Sequence, residues 1–169
     1  MHETPDELRR LQELLDASVA EAGPHLKSMV SDEHRIDAAT LSEKLSGMRL
    51  LVVATVTADG RPLTGPVDGY FLHGTFWFGS ARNSLRMRHQ AARPAVSATY
   101  LPGQEFSVTV HGQAELFDVL DPAHDELQRA MLDHYLPSQG PAFETWLREE
   151  KPLGARIAPD RIIALSFPA

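Results

Sequence analysis

Two rhythms of apolar and polar positions run along this chain. Leu8, Leu11, Leu15 and Val19 recur at helical spacing and form one stripe. Thr4-Pro5-Asp6-Glu7 precedes that stripe with a capping residue, a first-turn proline and a glutamate at capping-box spacing, so a helix is expected from Thr4 to about Val19. From Gly23 to Arg35 the text is polar and irregular and reads as loop. A second short helix is expected from about Thr40, with Glu43 at capping-box spacing, Leu41 and Leu45 on one face, and Gly47 ending it.

After Gly47 the period changes to that of strands. Leu50 to Thr57 is β-branched and mostly apolar, and Asp59-Gly60 is a strong hairpin signal behind it. A second strand is expected from about Leu63 to Leu72, and a third over Thr75-Phe76-Trp77-Phe78, closed by Gly79-Ser80. Asn83 or Ser84 caps a short helix through Leu85 and His89 to Ala92, stopped by Pro94. Strands resume over Val96 to Tyr100 and Phe106 to Phe117, where Phe106, Val108 and Val110 alternate with Ser107, Thr109 and His111. Two helices follow, one after Asp121-Pro122 with Leu127, Ala130 and Met131 inward, one after Gly140-Pro141 marked by Phe143, Trp146 and Leu147. Ile162 to Leu165 reads as a closing strand. Six or so strands joined mostly by tight turns lack the regular alternation of a parallel sheet, so a mainly antiparallel barrel is predicted.

Composition narrows the function classes. With 169 residues the chain makes about one domain and buries about 70% of its unfolded surface. A net charge of -7 argues against a general nucleic-acid or membrane partner, and any anion site must be local. There is no cysteine, which excludes disulfides, thiolate nucleophiles and cysteine-bound clusters. The longest apolar run, Leu50 to Ala54, is far below a membrane span, and Met1-His2-Glu3 does not resemble a signal peptide, so a cytoplasmic location is expected. No His-Glu-x-x-His, Gly-x-Ser-x-Gly, P-loop or dinucleotide fingerprint occurs, and no metal site is expected.

Three features carry candidate chemistry. Arg82, Arg86, Arg88, His89 and Arg93 surround the start of a helix, where amide groups and guanidinium groups suit a phosphate; a solvated helix face explains them equally. Ser80 and Ser84 add hydroxyl donors. Gly65-Pro66-Val67-Asp68-Gly69 interrupts a strand, which fits either a flat ligand lying on the main chain or an edge strand. His111 stands alone on a polar face, where a structural role is the commoner one. The aromatic run Phe76-Trp77-Phe78 reads as core or interface.

Taken together, Val53-Ala54-Thr55-Val56-Thr57-Ala58-Asp59-Gly60-Arg61-Pro62, Phe76-Trp77-Phe78-Gly79-Ser80, Ser84-Leu85-Arg86 and Arg93-Pro94-Ala95-Val96-Ser97 resemble the pyridoxamine-5'-phosphate-oxidase-like family. The resemblance covers roughly Thr40 to Phe117 and implies a mainly β fold with flanking helices, a split β-barrel of the FMN-binding type. It divides the chain into an N-terminal helical extension, residues 1–36, and a split-barrel domain, residues 37–169.

By the same resemblance, FMN, or alternatively a deazaflavin coenzyme, lies at a homodimer interface. Its ring would rest against Pro66, Val67, Asp68 and Gly69, and its phosphate near Gly79, Ser80 and Arg86, with Arg82 or Arg88 assisting. Ser107 takes the place of a flavin-contacting glutamine. Leu85 departs from the usual Arg-Lys pair, and Gly65 and Tyr70 stand where basic residues often flank the ring strand. The end of the chain, Ala164 to Ala169, lacks the Arg-x-His-x-Arg signature, so pyridoxamine chemistry is not implied. The expected function is a flavin- or deazaflavin-dependent oxidoreductase passing a hydride to a small-molecule substrate. The alternative is a non-enzymatic flavin- or haem-binding sensor, and no catalytic residue is assigned.

Overall fold

The computed structural model describes residues 3–167, so the chain ends Met1-His2 and Pro168-Ala169 lie outside it. Helix α1 spans Pro5–Ala20, and the capping box is present: Glu7 N–H donates to the Thr4 hydroxyl at 3.3 Å while Thr4 N–H donates to the Glu7 carboxylate at 2.7 Å. The expected loop after Gly23 instead contains a short helix α2, Pro24–Met29, opened by Pro24 at its first turn. Helix α3 spans Ala38–Lys44 and starts earlier than the Thr40–Glu43 spacing suggests. Its cap is Asp37, whose Oδ1 accepts the Thr40 N–H at 2.9 Å, so Thr40 is third in the first turn.

The strands are β1 Met48–Val56, β2 Pro62–Leu72, β3 Thr75–Ser80, β4 Ala95–Tyr100, β5 Phe106–Asp118 and β6 Leu153–Ser166. Helix α4, Leu85–Ala92, sits between β3 and β4, capped by Ser84; α5, Asp125–Gln139, and α6, Pro141–Glu150, separate β5 from β6. All pairings are antiparallel, and the strands close into a six-stranded barrel in the order β1-β2-β3-β6-β5-β4. The closing strand is far longer than the apolar run Ile162–Leu165, because β5 pairs with it from Phe106↔Ser166 to Asp118↔Leu153. A bulge at His111/Gly112 takes up one extra residue of β6.

Alternation puts Leu51, Val53, Phe71, Phe76, Phe78, Val108, Val110, Ile157 and Ile162 inside the barrel, where burying each such side chain contributes about 1.5–3 kcal/mol. Leu11 and Leu15 of α1 join this cluster, and buried Ser18 of α1 accepts the Ile162 N–H of β6 at 3.0 Å. A second cluster lies outside the barrel wall, where Tyr70, Leu72 and Trp77 pack under Leu127, Met131, Phe143 and Leu147 of α5 and α6. The aromatic run is thus consumed within the chain: Phe76 and Phe78 fill the barrel, and Trp77 lies beneath the helices with its Nε1 donating to Leu72 O at 3.0 Å.

Gly69 is the tightest point of β2. A Cβ there would stand 2.3 Å from Leu51 Cδ1, so the core leucine occupies the space that any other residue needs. Gly69→Ala is expected to destabilise by about 1–3 kcal/mol, as overpacking does. Adding Leu51→Val, which withdraws the obstructing methyl, is expected to recover part of the loss. Urea unfolding of the single and double variants measures both.

Candidate functional site

The wall of the barrel opens beside β2. Its pairs with β1 run from Met48↔Tyr70 to Val56↔Pro62, but its pairs with β3 run only from Leu72↔Thr75 to Gly69↔Phe78. The stretch from Pro62 to Asp68 therefore has one edge without a strand neighbour. Main-chain groups alternate between edges, and the Pro66 carbonyl faces the opening, where it accepts Arg86 Nη2 at 2.9 Å. Thr64 and Asp68 present their main-chain groups to the same side. A proline is tolerated here because its missing N–H removes no ladder bond. The two readings of the Gly-Pro stretch thus separate by residue: this segment is an edge, while Gly69 is a glycine because Leu51 fills its side-chain space.

Two cavities lie along that edge. The larger, about 500 Å³, is lined by Leu50, Pro66, Val67, Asp68, Tyr70 and Gly79 from the barrel, and by Met131, Tyr135, Gln139, Phe143 and Trp146 from α5 and α6. The smaller, about 210 Å³, is lined by Val53, Thr55, Leu63, Thr64, Gly65, Leu85, Arg86 and His89. Consecutive segments of β2 therefore serve the two spaces.

In the larger cavity the Tyr135 hydroxyl donates a short hydrogen bond to Asp68 Oδ2, tying α5 to β2. Tyr70 is only 3% exposed, and its hydroxyl has no hydrogen-bond partner among the described residues. Burial pushes both phenols above their usual value. The neighbouring charge of Asp68 acts on both, and the hydrogen bond to Asp68 adds to the effect on Tyr135, so both keep their protons. Phe143 lies between Tyr135 and Trp146, with ring centroids 4.5 Å and 5.5 Å away, giving an aromatic row that starts at Asp68's partner Tyr135.

The smaller cavity is basic. Burial lowers the Arg86 guanidinium from its usual value, and one of its donors is held by Pro66 O. Gly65 leaves room for it, since a Cβ there would approach Arg86 Nη2 to 3.1 Å. The Ser80 hydroxyl donates to Ser84 Oγ at 3.1 Å, and Ser84 Oγ accepts the Met87 N–H at the start of α4. His89 is buried, its Nδ1 3.0 Å from the Thr55 hydroxyl.

Of the residues singled out in the sequence, Pro66, Val67, Asp68 and Gly79 line the larger cavity and Arg86 the smaller, Ser80 bonds Ser84 at the N-terminus of α4, and neither Ser80 nor Gly69 lines either cavity. Arg88 is exposed on α4. Arg82 is engaged elsewhere, with Nη2 donating to Asp118 Oδ2 at 2.6 Å and Nε to Lys151 O at 3.1 Å. Ser107 lies on β5 opposite Leu165 and lines neither cavity. Exposed His111 is bonded through Nδ1 to the Ser97 hydroxyl at 2.7 Å, a structural contact. Tyr135, Phe143 and Trp146 carried no local signal as site residues, since their spacing is that of ordinary amphipathic helices.

The family model of pyridoxamine 5'-phosphate oxidase matches residues 38–164, which takes in both cavities and α5 and α6. The chain belongs to this family. Solved structures of like fold include a conserved hypothetical protein of Mycobacterium tuberculosis, 20% identical over 80% of this chain and 88% of that one, with a TM-score of 0.65. The haem storage protein HutZ of Vibrio cholerae is 14% identical over 85% and 94% of the two chains, with a TM-score of 0.60. An F420 reductase is 18% identical over 72% and 94%, with a TM-score of 0.54. At these identities the likeness establishes the split-barrel fold alone. No curated protein sequence matches the chain significantly. Among the described residues, no group of three or more His, Asp or Glu is placed to hold a metal ion, and no helix is long and apolar enough to cross a membrane.

The two tyrosines of the larger cavity are expected to differ in stability effect. Tyr135→Phe loses a hydrogen bond to a carboxylate at a partly open site and should cost about 1 kcal/mol, whereas Tyr70→Phe loses an unpartnered hydroxyl and should change stability by less than about 0.5 kcal/mol. Urea midpoints of the two variants check the order.

Proposed function

We propose that this pyridoxamine 5'-phosphate oxidase family member is an oxidoreductase that uses FMN, or alternatively a deazaflavin coenzyme. The observation that carries the reading is the unpaired edge of β2, with a ring-sized cavity at Pro66–Asp68 and a basic cavity at Leu63–Gly65 beside it. A ligand with a flat ring and an anionic tail fits that arrangement, and the larger volume lies in the range of small-molecule and cofactor sites. When bound, such a cofactor supplies hydride transfer.

The chain's own residues bind and orient. The Ser80 and Ser84 hydroxyls, the first amides of α4 and the Arg86 donors not used by Pro66 would hold the phosphate. Arg88 is exposed two residues further along the same helix, on a different face from Arg86, and Arg82 is committed to Asp118. The main-chain groups of Thr64 and Asp68 would meet the polar edge of the ring. Helices α5 and α6 wall the larger cavity with the aromatic side chains Tyr135, Phe143 and Trp146. The haem alternative finds no histidine in the larger cavity.

A homodimer is part of the same proposal. Leu50 and Val52 on the outer face of β1 are 58% and 50% exposed, although they sit in the middle of a sheet. Thr99 and Thr109 continue that face across β4 and β5, paired in register with Val52. A second copy is the commonest cover for such a surface.

Titration with FMN and with a deazaflavin, followed by absorbance and by quenching of cofactor fluorescence, tests the cofactor reading. At least one is expected to bind, and Arg86→Ala is expected to weaken it about tenfold or more, the loss of one charge-assisted hydrogen bond. No binding of either would sink the assignment. Light scattering is expected to give twice the 18.7 kDa chain mass; a monomer with cofactor bound would overturn the shared interface.

A further inference from the structure

We infer that the larger cavity binds an organic cation, namely an amine or quaternary ammonium carried on a flat apolar body and free of phosphate. No lysine, arginine or histidine is among its lining residues, although Arg86 lies just across the strand edge. Its one charged lining group is the Asp68 carboxylate. Tyr135 holds Asp68 Oδ2, which fixes the carboxylate against the strand and leaves Oδ1 without a protein partner among the described residues.

The helix side of the cavity is aromatic. Tyr135, Phe143 and Trp146 stand in a row, and Trp146 is 39% exposed at the mouth. Aromatic faces carry negative potential and attract ammonium groups, and the carboxylate bonded to the first ring of the row adds to the same preference. The unpartnered Tyr70 hydroxyl lies on the barrel side of this wall, a neutral polar group that adds no positive charge. An anionic substituent would meet Asp68 with no base to offset it, which excludes phosphorylated amines from this space. The separation of charge is thus built along one strand, with the carboxylate facing the larger cavity and the guanidinium facing the smaller one.

As a substrate subsite this inference rests on the cofactor reading and has the ring and the amine share the roughly 500 Å³ of the larger cavity, but the preference for a cation is testable without any cofactor. Calorimetric titration of the full chain with three probes of one shape, naphthylmethylammonium, naphthylmethanol and naphthoate, isolates the charge. The ammonium is expected to bind about tenfold or more tighter than the alcohol, with naphthoate weakest. Asp68→Asn keeps the shape and an oxygen for Tyr135, and is expected to erase the ammonium's advantage while leaving the alcohol within about twofold. Trp146→Leu, at a partly exposed position, is expected to weaken the ammonium more than the alcohol. Equal binding of ammonium and alcohol, an unchanged ammonium affinity in Asp68→Asn, or no binding of any probe overturns the inference. FMN titration separates the two readings: amine selectivity without FMN binding removes the oxidoreductase assignment and keeps the subsite, whereas FMN binding without amine selectivity removes the subsite alone.

Discussion

The early end of the β2–β3 ladder at Gly69↔Phe78 is the constraint on which the rest of this molecule depends. A strand in a closed barrel normally spends both edges on neighbours, which leaves nothing for a ligand. Here β3 continues along β6 from Trp77 to Ser80 while β2 continues along β1, and the two diverge. The unpaired main chain from Pro62 to Asp68 is then exposed between them. Arg86 reaches this edge from α4, and α5 and α6 cover its other side, so both cavities follow from a single missing stretch of pairing.

Divergence requires the core to stay filled while the wall opens, and Leu51 does this by occupying the space over Gly69. The same economy of space recurs at Gly154, where a Cβ would stand 2.3 Å from the Phe117 ring, and at Gly112, where it would stand 2.1 Å from Ala158 O at the bulge. These glycines allow close approach between neighbouring chain segments at three places in the barrel wall. The geometry of the opening is therefore set by packing inside the barrel as well as by the strands that border it.

Charge is sorted by the same strand. The net charge of -7 says nothing of this, because it averages over groups that the fold separates. Asp68 and Arg86 face different cavities, and each is held by one hydrogen bond, to Tyr135 and to Pro66 O. Arg82, of the same sequence cluster as Arg86, points instead to Asp118 on β5. Proximity in sequence lent Arg82 and Arg86 one apparent role, and the turn between β3 and α4 assigned them different ones.

By itself the sequence determined what depends on neighbours a few residues away. The capping box at Thr4 and Glu7, the turn at Asp59-Gly60, the cap of α4 at one of Asn83 and Ser84, and the alternation of β5 are local, and they stand as read, with Ser84 the cap. The order of motifs from Val53 to Ser97 was enough to indicate the family and its barrel. Other features were illegible because their causes are distant. The length of β6 comes from β5, and the reason for Gly69 comes from Leu51 on β1. The cap of α3 was missed for a different reason, since Asp37 and Thr40 offer competing signals three residues apart and only the backbone conformation chooses between them. The site divides in the same way: Pro66, Val67, Asp68, Gly79, Ser80 and Arg86 were visible as unusual residues in a strand and at a helix start, whereas Tyr135, Phe143 and Trp146 became a wall only when α5 and α6 folded back over β2. Local hydrogen bonding and periodicity are written in the chain, but the gap between two diverging strands is a difference between partners, and only the tertiary structure decides who those partners are.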